Sequence, residues 1–275
     1  MFKITAKRQL NEAVTELTFY APFIAQKVKA GQFVILRIDE LGERIPLTVA
    51  DFDRNENTVT VIFQAVGYTT RRLRMLNVGD NVLNLVGPLG KPTEYGDTKR
   101  AIVIGGGVGC AIAYPQAKAL YNMGVAVDAI AGFRSKDIVI LEDQMKKVSD
   151  NLYITTDDGS YGEKGFVTNV LSRLIEKENY DLVIAIGPVN MMKFVSNITK
   201  AKNIKTIVSL NPIMIDGTGM CGGCRVKVGN ETKFACVDGP DFDGHLVDFD
   251  ELLRRNFFYK DEEAHACRMD GVLNG

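Results

Sequence analysis

The chain has 275 residues, room for two domains and a smaller third piece at roughly 100–200 residues per domain. Apolar residues make up 46%, which excludes a mainly disordered chain. The charge is balanced, with 33 basic against 34 acidic residues, and this argues against general nucleic-acid or membrane-surface binding.

From residue 1 to about 97 the texture is short alternating runs, at 14–19, 33–38, 58–63 and 81–86. Gly31, Gly42, Asn55, Gly79 and Asp80 separate them. Regularly spaced short strands with turns between them predict an all-β barrel or sandwich. One segment, 69–76, reads as a short helix within it. Near 97–100 the pattern changes. Strand-like runs at 102–104, 125–133, 152–156, 182–186 and 206–210 alternate with helical patterns ending near 123 and at 137–148, 166–177 and 189–200. Continuous apolar strands between helices predict a parallel sheet covered on both faces. After 210 the alternation stops. Residues 211–247 are rich in Gly and Cys and show no long periodic run, and a short helix is expected near 248–256. The division expected is therefore 1–97, 98–209 and 210–275. No apolar run approaches the roughly 20 residues of a membrane span. The start, MFKITAKRQL, lacks the apolar core of a signal peptide, so a cytoplasmic protein is expected.

The five cysteines cannot all pair among themselves, and four of them fall after residue 220. Asp216, Cys221, Cys224 and Cys236 follow one another in the stretch DGTGMCGGCRVKVGNETKFAC. Plant-type [2Fe–2S] sites use Cys-x4-Cys-x2-Cys followed by a distant Cys. The sequence fits that frame if Asp216 takes the first ligand position, which a carboxylate oxygen can fill on ferric iron. Gly217, Gly219, Gly222 and Gly223 let the backbone wrap tightly and aim N–H groups at sulfur. Other readings stay open at this point. They are a structural zinc site completed by His245 or Cys267, a disulfide, buried inert thiols, and Cys267 in place of Asp216 as fourth iron ligand.

Further signals lie upstream. Arg44-Ile45-Pro46-Leu47-Thr48 sits between two strand-like runs, where Arg can pair with a diphosphate, Pro can rigidify a turn and Thr can bond a flavin heteroatom; taken alone it reads more simply as an exposed Arg followed by an edge strand. Gly67 with Thr69 and Thr70 opens the short helix, an arrangement that can bind an anion or simply cap the helix. Gly105-Gly106-Gly107-Val108-Gly109 lies between a strand and a helix, the context of a dinucleotide-binding turn. Cys110 follows it, read as a small helix residue in preference to a functional thiol. Arg134, Asp157-Asp158 and Gly187-Pro188 each fall just past a strand C-terminus, where open parallel sheets bind ligands.

Taken in order, RIPLT, GGGVG, TDDGSYGEKG, IGP and CGGC…CVDGP resemble the ferredoxin–NADP reductase superfamily over essentially the whole chain. More narrowly they resemble the electron-transfer subunits that append a [2Fe–2S] loop. These include the iron–sulfur subunit of type B dihydroorotate dehydrogenase and the small subunit of NADH-dependent reduced ferredoxin:NADP oxidoreductase, a flavin-based bifurcation complex. The dihydroorotate type carries Cys where this chain has Asp216, and Asp within NPIMIDGTGMCGGC favours the second. The resemblance implies a β-barrel FAD domain, an α/β NAD(H) domain and a [2Fe–2S] tail. It implies that Arg44, Pro46, Leu47, Thr48 and Ala50, with Val66, Gly67, Thr69 and Thr70, hold FAD. Gly105, Gly106, Gly107, Val108, Gly109, Arg134, Asp157, Asp158, Gly187 and Pro188 would line the NAD(H) site. Asp216, Cys221, Cys224 and Cys236 would ligate the cluster, and electrons would pass to or from a larger flavin and iron–sulfur subunit. No side chain is expected to act as a general acid or base. A non-redox nucleotide-binding module stapled by zinc is the rival of another class.

Overall fold

The computed structural model describes residues 1–258 together with 264, 265 and 268. Cys267, the alternative ligand, lies outside the described residues.

The first sheet is built from β1 (Phe2–Gln9), β2 (Val14–Tyr20), β3 (Phe33–Arg37), β4 (Ile45–Asp53), β5 (Thr58–Gln64), β6 (Asn81–Val82) and β7 (Asn84–Leu89). Its order is β6-β1-β2-β5-β4-β3-β7, and each pairing is antiparallel. The run expected at 81–86 is divided at Leu83. Its first half pairs with β1 and its second with β3, so one chain segment bridges both edges and the sheet nearly closes into a barrel. Closure hides edge strands that would otherwise offer open backbone groups. Two helices accompany the barrel, α1 (Pro22–Ala25) and α2 (Tyr68–Met75). Leu73 of α2 is fully buried and joins Leu17, Phe19, Val34, Leu36, Val59 and Val61 in the barrel core.

The second sheet uses β8 (Arg100–Gly106), β9 (Ala126–Phe133), β10 (Asn151–Thr156), β11 (Glu163–Lys164), β12 (Leu182–Ile186) and β13 (Lys205–Ser209). All of these pair in parallel. Along β8 the side chains alternate between two helical layers, as the period of two requires. Ala101 and Val103 pack with Ala113, Ala117 and Leu120 of α3 (Cys110–Asn122) and with Met145 of α4 (Glu142–Lys146). Ile102 and Ile104 pack with Leu171 of α5 (Val167–Lys177) and with Met192 and Val195 of α6 (Val189–Ala201). Burial on both faces explains the unbroken apolar strands. The helix expected over 137–148 is shorter. Val139 is extended and Leu141 is left-handed at φ 59°, so only a 3₁₀ turn (Lys136–Ile138) and α4 form.

The tail is more ordered than its composition suggests. β14 (Arg225–Val228) and β15 (Glu231–Phe234) form a hairpin. The one-turn helix α7 (Ala235–Asp238) follows, and β16 (Asp241–Asp243) then pairs antiparallel with β13. The second sheet is therefore mixed, with a seventh strand supplied by the tail. The closing helix α8 (Phe249–Arg255) starts where expected, with the Asp248 carboxylate accepting from the Glu251 N–H at 2.9 Å. Met214, Cys224, Val226, Cys236, Phe242 and Leu252 share one apolar cluster with the α5/α6 layer, so the tail has no separate core.

Candidate functional site

The RIPLT segment is an exposed Arg followed by a strand, the simpler of its two readings. Ile45 to Thr48 pair with β3 through Leu36, Ile35, Val34 and Phe33, whereas β5 takes over only from Val49, with a register shift before Asp51. Along this stretch one side of β4 is open, so Pro46 sacrifices no ladder hydrogen bond. Arg44 is exposed just before the strand, Pro46, Leu47 and Thr48 are half-buried, and Ala50 is buried. Gly67 is the N-cap of α2. The Thr70 hydroxyl accepts from the Val66 and Gly67 N–H groups at 3.1 and 3.0 Å, which gives it a capping role. The Thr69 hydroxyl donates to Glu43 at 2.7 Å. A second tie joins the same loop to the helix, Arg72 with Asp39 at 2.5 Å. These contacts place Arg44 beside the start of α2 and bring the two sequence-predicted flavin segments together. Glu43 and Asp39 were not singled out from the sequence; their only signal is adjacency to the RIPLT run.

The glycine turn joins β8 to α3 through a 3₁₀ turn at Gly107–Gly109. Its glycines are spaces for close approach. A Cβ on Gly109 would lie 2.4 Å from the Ile186 carbonyl oxygen, and one on Gly106 would lie 2.6 Å from the Met191 sulfur. A Cβ on Gly105 would meet Cys110 at 2.7 Å. Val108 is half-buried. Gly187, at the end of β12, backs directly onto Gly106, and Pro188 is the N-cap of α6. On the other side of the turn, Asp157 N–H donates to Phe133 O at 3.0 Å and Asp158 N–H to Arg134 O at 3.2 Å. Arg134, Asp157 and Asp158 are exposed. All these predicted residues therefore collect at the carboxyl edge of β8, β9, β10 and β12, where such sheets bind ligands. Asp158 is committed to its own loop. Its Oδ1 accepts from the Ser160 hydroxyl and N–H at 2.7 and 2.9 Å, which holds its carboxyl below the usual range. Cys110 is fully buried, and desolvation pushes its thiol up to about 12. A poised nucleophile would show the opposite shift.

The four tail residues fall into two pairs. Cys224 and Cys236 are buried with sulfurs 3.2 Å apart. Asp216 reaches the other thiol's residue, its Oδ2 accepting from the Cys221 N–H at 3.1 Å. Backbone donors point at sulfur as thiolate ligands require. Gly223 N lies 3.4 Å from Cys221 Sγ, and Cys236 N lies 3.4 Å from Cys224 Sγ. Burial and the neighbouring Cys224 push the Cys236 thiol up to about 12, and ligation by a metal is what deprotonates such a thiol. Hydrogen bonds from Thr218 hold the Asp216 carboxyl well below the usual range. Among the described residues no three His, Cys, Asp or Glu side chains converge as a cage for a single ion. His245 is engaged instead with Thr199, at 3.0 Å. Two ligand pairs suit a two-iron cluster, in which each tetrahedral iron takes two protein ligands, better than one zinc ion.

The cluster loop also touches the barrel. A Cβ on Gly217 would lie 2.7 Å from Ile35 Cγ1 and 3.2 Å from Leu89 Cδ1. Ile35 is the register partner of Pro46. Neighbouring strands lie about 4.8 Å apart, so the cluster loop is one strand pair from the RIPLT segment.

Comparison with known proteins agrees with this layout. The family described as iron-sulfur cluster binding domain of dihydroorotate dehydrogenase B matches residues 211–248. A Thermotoga maritima protein, the dihydroorotate dehydrogenase B (NAD(+)) electron transfer subunit homolog, is 44% identical over 95% of this chain and 92% of its own length. The solved structure of an NADH-dependent reduced ferredoxin-NADP oxidoreductase, studied for flavin-based electron bifurcation, aligns at 43% identity with a TM-score of 0.93, over 98% of this chain and 97% of that one. A ferredoxin reductase of carbazole 1,9a-dioxygenase, at 19% identity and TM-score 0.62 over 74% of this chain and 64% of its own, shares the fold. At 44% identity over almost its whole length, the chain belongs to the family of dihydroorotate dehydrogenase B electron transfer subunits.

Proposed function

We propose that this chain is the NAD(H)-facing subunit of an electron-transfer complex and that it carries FAD and a [2Fe–2S] cluster. The observation that supports this reading most is the seating of the cluster loop on β3, across one strand pair from the RIPLT segment. Such proximity suits electron transfer between two resident cofactors and has no evident use in a zinc-stapled module. When bound, nicotinamide supplies a hydride, flavin the conversion between two-electron and one-electron steps, and the cluster single electrons.

The chain's own residues hold and shield. Arg44 would pair with the FAD diphosphate, while Pro46, Leu47, Thr48 and Ala50 would present the open side of β4 to the ring system. Val66 and Gly67, with Thr69 and Thr70, offer the N-terminus of α2 to the same diphosphate. Gly105 to Gly109 bring backbone N–H groups to the NAD(H) diphosphate, with Arg134, Asp157, Asp158, Gly187 and Pro188 around it. Asp216, Cys221, Cys224 and Cys236 would hold the cluster, as the pairs Asp216 with Cys221 and Cys224 with Cys236. Proton transfer by a side chain is not required, so no catalytic acid or base is assigned. The partner is a larger subunit bearing flavin and iron–sulfur centres, as in NADH-dependent reduced ferredoxin:NADP oxidoreductase. No helix of the described residues is long and apolar enough to cross a membrane, and cysteines 110, 221, 224 and 236 are free. We place the protein in the reducing cytoplasm on that thiol chemistry.

The second reading, service to a dihydroorotate dehydrogenase, is favoured by the family match over 211–248. Asp216 weighs against it. One purification separates the readings. The protein should be yellow-brown with about two irons per chain, and NADH should bleach both chromophores. The co-purified complex should then reduce NADP with ferredoxin as second donor and ignore dihydroorotate. Dihydroorotate oxidation would select the second reading, and a colourless zinc protein would overturn both.

A further inference from the structure

We infer that Thr218 is a positioning residue for the cluster: it fixes Asp216 as a one-oxygen ligand and thereby tunes the cluster potential. The inference rests on the ligand set proposed above. Thr218 donates twice to Asp216 Oδ1, once from its backbone N–H at 2.8 Å and once from its hydroxyl. Oδ2 accepts from the Cys221 N–H at 3.1 Å, and the Cys221 thiol is a further donor to the carboxylate, one that drops out once Cys221 binds iron as thiolate. A carboxylate offers about four lone-pair sites, two on each oxygen. With the Cys221 thiol proton gone, both sites of Oδ1 are still taken by Thr218, and Oδ2 keeps only the Cys221 N–H. The carboxylate can therefore meet iron only through Oδ2. Cys221, whose N–H orients that oxygen, supplies the adjacent thiolate.

The hydroxyl has an electronic consequence too. A hydrogen bond to a ligand atom withdraws density from it, and such outer contacts tune the metal. Donation to Oδ1 makes Asp216 a poorer donor to ferric iron, which favours the reduced cluster. Thr218 is exposed and belongs to no apolar cluster. The hydroxyl's removal therefore leaves the core intact, while its backbone N–H still supports the turn.

The test is a redox titration and EPR spectrum of the cluster in the full holoprotein, with iron content measured in parallel. Thr218→Val should keep the cluster, lower its midpoint potential and change its g-values, because Oδ1 regains a free site. Thr218→Ser should restore both. In an Asp216→Cys background, Thr218→Val should change neither. An unchanged potential in Thr218→Val, or an equal shift in both backgrounds, overturns the inference. Iron loss in Thr218→Val that is absent when Asp216 is Cys also assigns the effect to Asp216; loss in both backgrounds marks a merely structural threonine. Should Asp216→Cys alone leave potential and spectrum unchanged, the ligand assignment itself fails, which is a distinguishable result.

Discussion

The glycine turn after β8 and the glycine loop around Cys221 look alike in sequence but use glycine for opposite reasons. At Gly109 the limit is contact, since a Cβ would meet the Ile186 carbonyl oxygen at 2.4 Å. At Gly222 the limit is curvature. Its φ is +69°, and a Cβ there would meet only Phe234, at 3.8 Å. One loop is dense because a helix must start close to the sheet, where a dinucleotide can reach backbone N–H groups. The other is open and bent because its N–H groups must turn inward on sulfur. Loss of a contact glycine should therefore damage the fold, whereas loss of a ligand should damage only the cofactor.

The strongest test of that separation is Asp216→Ala. The cluster should be lost from most molecules, read as iron per chain, while FAD stays near one per chain. The barrel touches this loop at Gly217 but draws no structural contact from Asp216, whose carboxylate bonds only within the loop. Loss of FAD together with iron would show that the two regions are not separable.

The contact side is tested by Gly109→Ala, set against Gly222→Ala. The first forces backbone apart where no rotamer can give way, and overpacking of this kind costs about 1–3 kcal/mol or more. NAD(H) binding should weaken with it. The second strains one left-handed residue, at about 1–2 kcal/mol, and should leave NAD(H) binding unchanged. Thermal melts and NADH titrations of the two variants would contradict the contrast if they ranked in the reverse order.

A smaller effect concerns how the tail is tied to the other two regions. Asp241 of β16 accepts from the Thr93 hydroxyl of the interdomain segment at 2.5 Å and from Gln116 of α3 at 3.1 Å. Tyr95 completes the knot by donating to Gln116 at 2.5 Å. Burial holds the Asp241 carboxyl above its ordinary value of 3.8, against the opposing donors Ser209, Thr93 and Gln116. The sign follows from linkage. Below 3.8 the group is protonated in both folded and unfolded chains and costs nothing. Above it the unfolded chain ionises first, so the group's stabilising contribution falls until pH passes the folded value. Asp241→Asn removes that slope. Melting temperatures measured from pH 4 upward should favour the variant increasingly, and a constant difference would refute a buried, proton-retaining Asp241.

Periodicity in the sequence exposed the two large sheets because their strands follow simple burial rules. Unbroken apolar runs such as Leu182–Ile186 face helices on both sides, and alternation marks the barrel. The iron–sulfur region was equally visible, because its Cys and Gly spacing stands apart from any periodic run, and the family match falls on it at 211–248. Three features were hidden. Pro46 is compatible with an edge strand, but which stretch of β4 is left unpaired on one side shows only in the pairing. The strand Asp241–Asp243 has only three residues, too few to show a period, and exists because β13 leaves an edge for it. Glu43 becomes meaningful only when α2 places Thr69 within 2.7 Å of it. Each of these depends on a partner distant in sequence.

The finest form of the comparison is between two cysteines, each beside a glycine run. Cys221 is exposed on an open loop, where we propose it as a ligand. Cys110 fills the space that Gly105 leaves, with no solvent exposure. Its position at a helix start would ordinarily lower a thiol pKa. Here desolvation outweighs the helix end and lifts it to about 12, because an ionised sulfur in this packing would lose its water without gaining a counter-charge. Cys110 should therefore stay unmodified when the native holoprotein is treated with iodoacetamide at pH 8, and react only on unfolding. Cys110→Ala should cost about 1 kcal/mol for the small space left behind, with electron transfer from NADH intact. Alkylation of native protein at Cys110, or lost NADH oxidation in Cys110→Ala at full FAD content, would make this thiol functional and remove the distinction between the two loops.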